Sequence, residues 1–332
     1  MLHRAIRLVN FALASVALVA AGATAALAQT RPAAFPDKPV KMIVPAPPGS
    51  GPDALGRLLG RRLSDMWGQP VLIENVVGAG GNIGHERGAK APADGYTLLM
   101  GLIGPMSVSS SLTDKMPFDP IKDLAPVTML VKLPNILVVH PSVPVKTLQE
   151  LIAHAKHHPD AIRYGYPGAG TSLHLAAEQM NMMAGITTRG VPYKTSAQMT
   201  TDVIGGHIDM IFHNAPVVIP HIKAGSLRAL AITSATRNAA APDIPTMTEA
   251  GLAGYEVTSW YAMYVPSATP RPVIARLNAD IARALAHADT REWMVSQAGI
   301  AGGGSPEELA GFQAAETEKW KKLVKAANIR AE

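Results

Sequence analysis

The sequence contains no cysteine. That absence excludes a disulfide framework, thiolate metal sites, thiol catalysis and a lipid-anchored N-terminal Cys. Aromatic residues make up only 5% of the 332, too few for a sugar platform or a groove that stacks bases. No apolar run reaches the roughly 20 residues of a spanning helix. The net charge of +5 is spread along the chain without a basic run, so nucleic acid and anionic membrane are not expected partners. What is present is 48% hydrophobic and 17% charged, with 29 Gly and 27 Pro. Such a chain is globular and long enough for two cored domains; disorder, collagen and coiled coil are excluded.

The N-terminus reads as an address. A cationic head with Arg4 and Arg7 precedes an apolar stretch over residues 11–21 and the small-x-small pattern Ala26-Leu27-Ala28. This is the pattern of a secretory signal peptide over residues 1–28, cleaved near Ala28, with an uncleaved anchor as the alternative. The mature chain is then periplasmic, begins near Gln29 and inserts in no membrane. It works where ATP and NAD(P)H are absent, so no cofactor is expected.

Strand, helix and turn signals alternate along the rest. Residues 40–44 form a strand candidate that breaks into Pro45-Ala46-Pro47-Pro48-Gly49-Ser50-Gly51-Pro52-Asp53. In the helix that follows, Leu55, Leu58, Leu59, Leu63 and Met66 share one face. Strand 71–74, a short helix over 83–90 and strand 97–100 complete a βαβαβ order, which implies a parallel sheet with right-handed crossovers. A second run of the same grammar starts at Ile136, with strands at 136–139, 163–166, 188–191, 208–212 and 227–233 separated by helical segments. Residues 239–254 read as a loop, residues 255–265 as extended, and two helices close the chain, the last opened by the capping box Ser305-Pro306-Glu307-Glu308. The expected architecture is α/β: lobe 1 from residues 29–132 plus 254–332, lobe 2 from residues 133–253, both with mainly parallel sheets. Two crossings, near 132 and 254, act as a hinge.

Three glycine-bearing loops stand out. Gly78-Ala79-Gly80-Gly81-Asn82-Ile83-Gly84 superficially resembles a dinucleotide fingerprint, but its third glycine is misplaced and it follows the second strand. A tight structural loop is the better reading. Gly49-Ser50-Gly51 and Gly168-Ala169-Gly170-Thr171-Ser172 each lie at a strand-to-helix corner. Backbone N–H groups and hydroxyls at a helix N-terminus attract carboxylates, and in open parallel sheets the ligand crevice lies at the carboxyl ends of the strands. Ordinary N-capping is the plain alternative for each corner, and Pro52 leaves the first corner one donor short. His174, just inside the helix after the second corner, faces either the crevice or the core. His154, His157 and His158 have metal-gripping spacing, but they sit at the polar end of an amphipathic helix without an acidic or thiol ligand nearby. G-x-S-x-G, S-x-x-K with its companions and H-E-x-x-H are all absent, so no catalytic residue is indicated.

Taken together, Phe35-Pro36-Asp37-Lys38-Pro39-Val40, the corner ending in Asp53, Gly68-Gln69-Pro70-Val71, the Gly78 to Gly84 loop, Ala93-Asp94-Gly95-Tyr96-Thr97, Val191-Pro192-Tyr193-Lys194 and Pro242-Asp243-Ile244-Pro245-Thr246 resemble the tripartite tricarboxylate transporter substrate-binding proteins, also called the Bug or TctC-like family. The likeness runs through essentially the whole mature chain. It implies a type II periplasmic binding protein fold, two lobes closing on a small carboxylate, and delivery to an integral membrane permease of a large and a small subunit. The receptor itself is expected to be a monomer. By matching position, it implies ligand contacts from Gly49, Ser50, Gly51 and Asp53, from Gly168, Gly170, Thr171, Ser172 and His174, and from Asn214; the last rests on resemblance alone. The sequence departs from the family pattern at Ala46, Pro48, Ser50, Pro52, Thr195 and His213, the last standing where an aspartate is usual. An imidazole facing the cleft favours anions, whereas one facing the core has no such effect. Two rival readings are a secreted enzyme on the same scaffold and a ligand-sensing subunit of a signalling system.

Overall fold

A computed structural model describes residues 35–113 and 115–330, so the signal-like segment lies outside the described residues. Pro39–Glu332 form one unit; of the other, Met1–Lys38, only residues 35–38 are described, without regular secondary structure. The first elements in chain order are β1 (Val40–Val44), α1 (Gly51–Trp67), β2 (Val71–Asn75), α2 (Asn82–Ala89), β3 (Thr97–Leu102), α3 (Ser109–Leu112) and β4 (Leu124–Val139). Then come α4 (Leu148–His157), β5 (Arg163–Tyr166), α5 (Ser172–Ala184), β6 (Arg189–Pro192), α6 (Ser196–Ile204), β7 (Met210–Asn214), α7 (Ala215–Lys223) and β8 (Arg228–Ile232). The chain ends with β9 (Thr258–Pro266), α8 (Arg271–Leu285), α9 (Ala288–Ser296), β10 (Ile300–Gly303) and α10 (Pro306–Ala326).

The strands join in the order β2-β1-β3-β9-β4-β7-β5-β6, with β8 and β10 also paired to β4. The strand and helix alternation correctly implies parallel pairing in two wings, β2 and β3 on β1 and β6 and β7 on β5. The centre differs, because every pairing of β4 and β9 is antiparallel. β4 is also longer than its sequence suggests, with 16 residues running through the expected crossing near residue 132. Pro126 and Pro134 hide its first part, since proline lacks a ladder donor. Pro126 sits beside a register shift, and Pro134 pairs with Thr258, the first residue of β9.

The core is continuous from wing to wing. Apolar residues of α1 pack on β1 and β2, and α10 lies against β4, α5 and the 104–112 segment. Trp260 and Trp320 are fully buried, and both indole N–H groups donate to Glu316 Oε2, at 3.2 and 3.0 Å. The capping box at Ser305 forms as its sequence predicts, with Glu308 N donating to Ser305 Oγ and Ser305 N to Glu308 Oε2.

Candidate functional site

The carboxyl ends of the two wings point toward each other. β3 is antiparallel to β9, which is antiparallel to β4, so β1 and β3 run in the sense of β4. β7 and β5 run against it. The first wing ends where Leu102 pairs with Tyr261 and Tyr261 with Val131; the second ends where Asn214 pairs with Asn135. Four residues of β4 separate these levels, roughly 13 Å at about 3.3 Å per residue. Alternation puts Val131, Leu133 and Asn135 on one face, together with Tyr261 across the ladder. The two glycine corners approach the β4–β9 pair at these two levels. A Cβ on Gly51 would lie 3.2 Å from the Tyr261 hydroxyl, and Asn135 Nδ2 donates a long 3.5 Å hydrogen bond to the Ser172 carbonyl.

The first corner is held by Asp53. Its carboxylate, 3% exposed, accepts from Gly49 N at 2.8 Å, Asn75 Nδ2 at 2.9 Å and Arg57 Nε at 3.0 Å. Burial works against its ionisation, but the Arg57, Gly49 and Asn75 hydrogen bonds and the Arg57 charge outweigh burial and hold the carboxyl below its ordinary value. Asp53 is therefore occupied within the loop. Ser50 is the N-cap of α1 but makes no cap bond; its hydroxyl donates to the Pro47 carbonyl at 2.6 Å. With no side-chain cap, the first-turn N–H groups of Gly51 and Asp53 have no partner among the described residues and lie at the positive end of α1.

In the second corner, Thr171 caps α5, accepting from His174 N at 3.4 Å and donating to the Gly168 carbonyl at 2.9 Å. Gly170 N donates to His174 Nδ1 at 3.3 Å, and the His174 ring stacks on Tyr166 at 4.1 Å between centroids. His174 is only 7% exposed. Burial pushes its pKa down to about 4, although Glu178 Oε1 lies 3.9 Å from Nε2. The ring is thus neutral, with its proton on Nε2 and Nδ1 accepting. The Ser172 hydroxyl takes no hydrogen bond among the described residues.

Asn214 begins α7 without a side-chain cap bond, and its backbone N donates to His213 Nδ1 at 2.8 Å. His213 is buried, in register with Ile136 and away from Asn135, and burial pushes its pKa down to about 4. The anion-attracting role open to an exposed imidazole at this position therefore does not arise. The Gly78 to Gly84 loop is a structural turn tied down by His85, which bonds Gly81 O through Nδ1 at 2.8 Å and accepts from Leu102 N through Nε2 at 3.1 Å. No group able to hold a metal, the His154 cluster included, is present among the described residues.

The corners are bridged by residues 104–112, a segment without a sequence signal. Pro105 lies 3.3 Å from the Cβ position of Gly81, next to Pro45 of the first corner. Leu112 and Val108 lie 2.6 and 3.2 Å from the Cβ position of Gly170 in the second. Sequence reasoning also missed Asn135 and Tyr261. Asn135 follows Pro134 directly and reads as linker; its only signal is a polar residue opening an apolar strand. Cavities of about 740 Å³ beside α1 and about 580 Å³ beside α10 contain no residue of either corner, so cavity size does not mark this site.

Residues 55–329 match the family described as tripartite tricarboxylate transporter family receptors. The chain belongs to this family. It is 36% identical over 297 residues to protein BugT of Bordetella pertussis, covering 89% of this chain and 91% of BugT. Among solved structures, R. palustris Rpa4515 with adipate superposes with a TM-score of 0.77 at 35% identity, covering 89% of this receptor and 99% of that chain. MatC from Rhodopseudomonas palustris with bound malate gives 0.73 at 29% identity, covering 87% and 100%. These relatives place the receptor in the periplasmic binding protein fold, and the family consists of solute-binding receptors, not enzymes. No helix among the described residues is long and apolar enough to cross a membrane.

Proposed function

We propose that this receptor captures a small organic acid in the periplasm and delivers it to the integral membrane subunits of a tripartite tricarboxylate-type transporter. Residues 29–132 plus 254–332 and residues 133–253 act as the lobes, and a signal peptide over residues 1–28 exports the chain. The observation that supports this reading is the approach of both glycine corners to the β4–β9 pair, Gly51 at the Tyr261 hydroxyl and Ser172 at Asn135, each with polar groups at a helix N-terminus. Adipate and malate in the related structures support a carboxylate as the ligand. The first-turn N–H groups of Gly51 and Asp53, the loop of Gly168, Gly170 and Thr171, the Ser172 hydroxyl and the Asn214 carboxamide supply the donors. Asp53 and His174 position these loops. The acid's preference for the closed form sets how far the opening equilibrium moves.

A thermal-shift screen of the purified protein against mono-, di- and tricarboxylates tests the reading, since a ligand at 100 times its Kd stabilises by about 2.7 kcal/mol. One acid should raise the melting temperature clearly. Ser172→Ala, which disturbs no described hydrogen bond of its side chain, should weaken that acid roughly tenfold, the value of one hydrogen bond to a charged group. No response to any carboxylate, or undiminished binding in the variant, counts against the site.

A further inference from the structure

We propose that Asn135 reads the ligand directly, and that the captured acid carries an O–H or N–H donor beside its carboxylate, as a hydroxy acid does. Asn135 is 0% exposed, on β4 at the level where the second wing ends and beside Ser172 of the second corner. Its backbone N donates to Thr233 Oγ1 at 2.7 Å, and its Nδ2 donates to the Ser172 carbonyl. That contact, 3.5 Å long, turns Nδ2 toward the Ser172 carbonyl and Oδ1 away from it. The other end, Oδ1, is buried without a hydrogen-bond partner among the described residues. Buried acceptors in native proteins nearly always have partners, and leaving one unmade is costly.

A carboxylate cannot fill this gap, because it is itself only an acceptor. Two acceptors meeting in a dry site repel each other. A hydroxyl, amide or ammonium on the ligand removes the conflict by donating to Oδ1, while the ligand's carboxylate takes the donors of Ser172 and Asn214 alongside. Of the other buried unpaired atoms, Gln179 Oε1 is within α5 and His213 Nε2 belongs to the ring in register with Ile136, whereas Ser107 Oγ, in the 104–112 segment that bridges the corners, is a hydroxyl that can donate as well as accept. Sites built to bond a ligand hydroxyl discriminate strongly against the analogue that lacks it.

This assignment rests on the carboxylate-receptor reading, and the test separates the two. Calorimetric titration of the purified protein compares matched acids: succinate with malate and aspartate, and glutarate with 2-hydroxyglutarate and glutamate. The member bearing a donor should bind at least about tenfold more tightly than the plain acid, and the hydroxy and amino members identify which donor is used. In Asn135→Ala and in the strand-compatible Asn135→Val, each checked by thermal unfolding, this preference should fall below about threefold. Equal binding of plain and donor-bearing acids by the unaltered protein, or an undiminished preference in a folded variant, overturns the role of Asn135 and leaves the receptor reading intact. Binding of no carboxylate at all overturns the receptor reading and this inference with it.

Discussion

Gly170 has φ +74 and stands with its Cβ position 2.6 Å from Leu112. An alanine here meets both a strained backbone and a wall. Gly170→Ala should cost about 1 to 3 kcal/mol, measured by urea unfolding, and should weaken acid binding by tilting the second corner. Asp53 presents the converse case, a side chain whose worth lies in its neighbours. Asp53→Ala leaves Gly49 N, Asn75 Nδ2 and Arg57 without their common acceptor. A loss of about 1 to 3 kcal/mol is expected, smaller than for a fully buried ion pair because Arg57 is half exposed. These two residues also differ in how far their sequence revealed them. Glycine and proline punctuation is local, so both corners were legible. The carboxylate's commitment to its own loop was not, because one of its partners, Asn75, comes from the next strand.

At the scale of elements, three histidines do the same task in three places. His85, His174 and His213 each accept a backbone N–H, from Leu102 and Asn214 at the carboxyl ends of β3 and β7 and from Gly170 in the loop that follows β5. Acceptance requires the neutral ring, and burial pushes all three from 6.5 to about 4. The unfolded chain takes up these protons near 6.5 and the native chain only near 4. Stability is therefore complete above 6.5 and declines as the pH falls from 6.5 toward 4, by up to about 3 kcal/mol per ring. Chemical denaturation between pH 7.5 and 4.5 checks this, and a flat profile would contradict the anchoring role. Helix starts were readable from their caps, and both wings from strand and helix alternation. β4 was not readable, because its two prolines mask a strand that only pairing with β9 and β10 makes regular. The importance of Asn135 arises from that pairing, between residues 79 positions apart in the case of Asn214, and no local pattern encodes it.

At the scale of the whole molecule, pairing of Pro134 with Thr258 makes the chain between them a parenthesis. Everything from Asn135 to Val257 leaves one strand of a hairpin and returns to the other, as though a short turn had been opened to admit a second body. Antiparallel partners stand only about 5 Å apart, and two residues suffice to join them. Replacing residues 135–257 by Asn-Gly should give a shortened protein with a cooperative melting transition and no affinity for any acid, whereas failure to melt cooperatively would mean that the guest segment holds its host together. The same geometry makes the parenthesis portable: a different closing half could be spliced onto an unchanged platform, and ancestry of the two halves need not coincide.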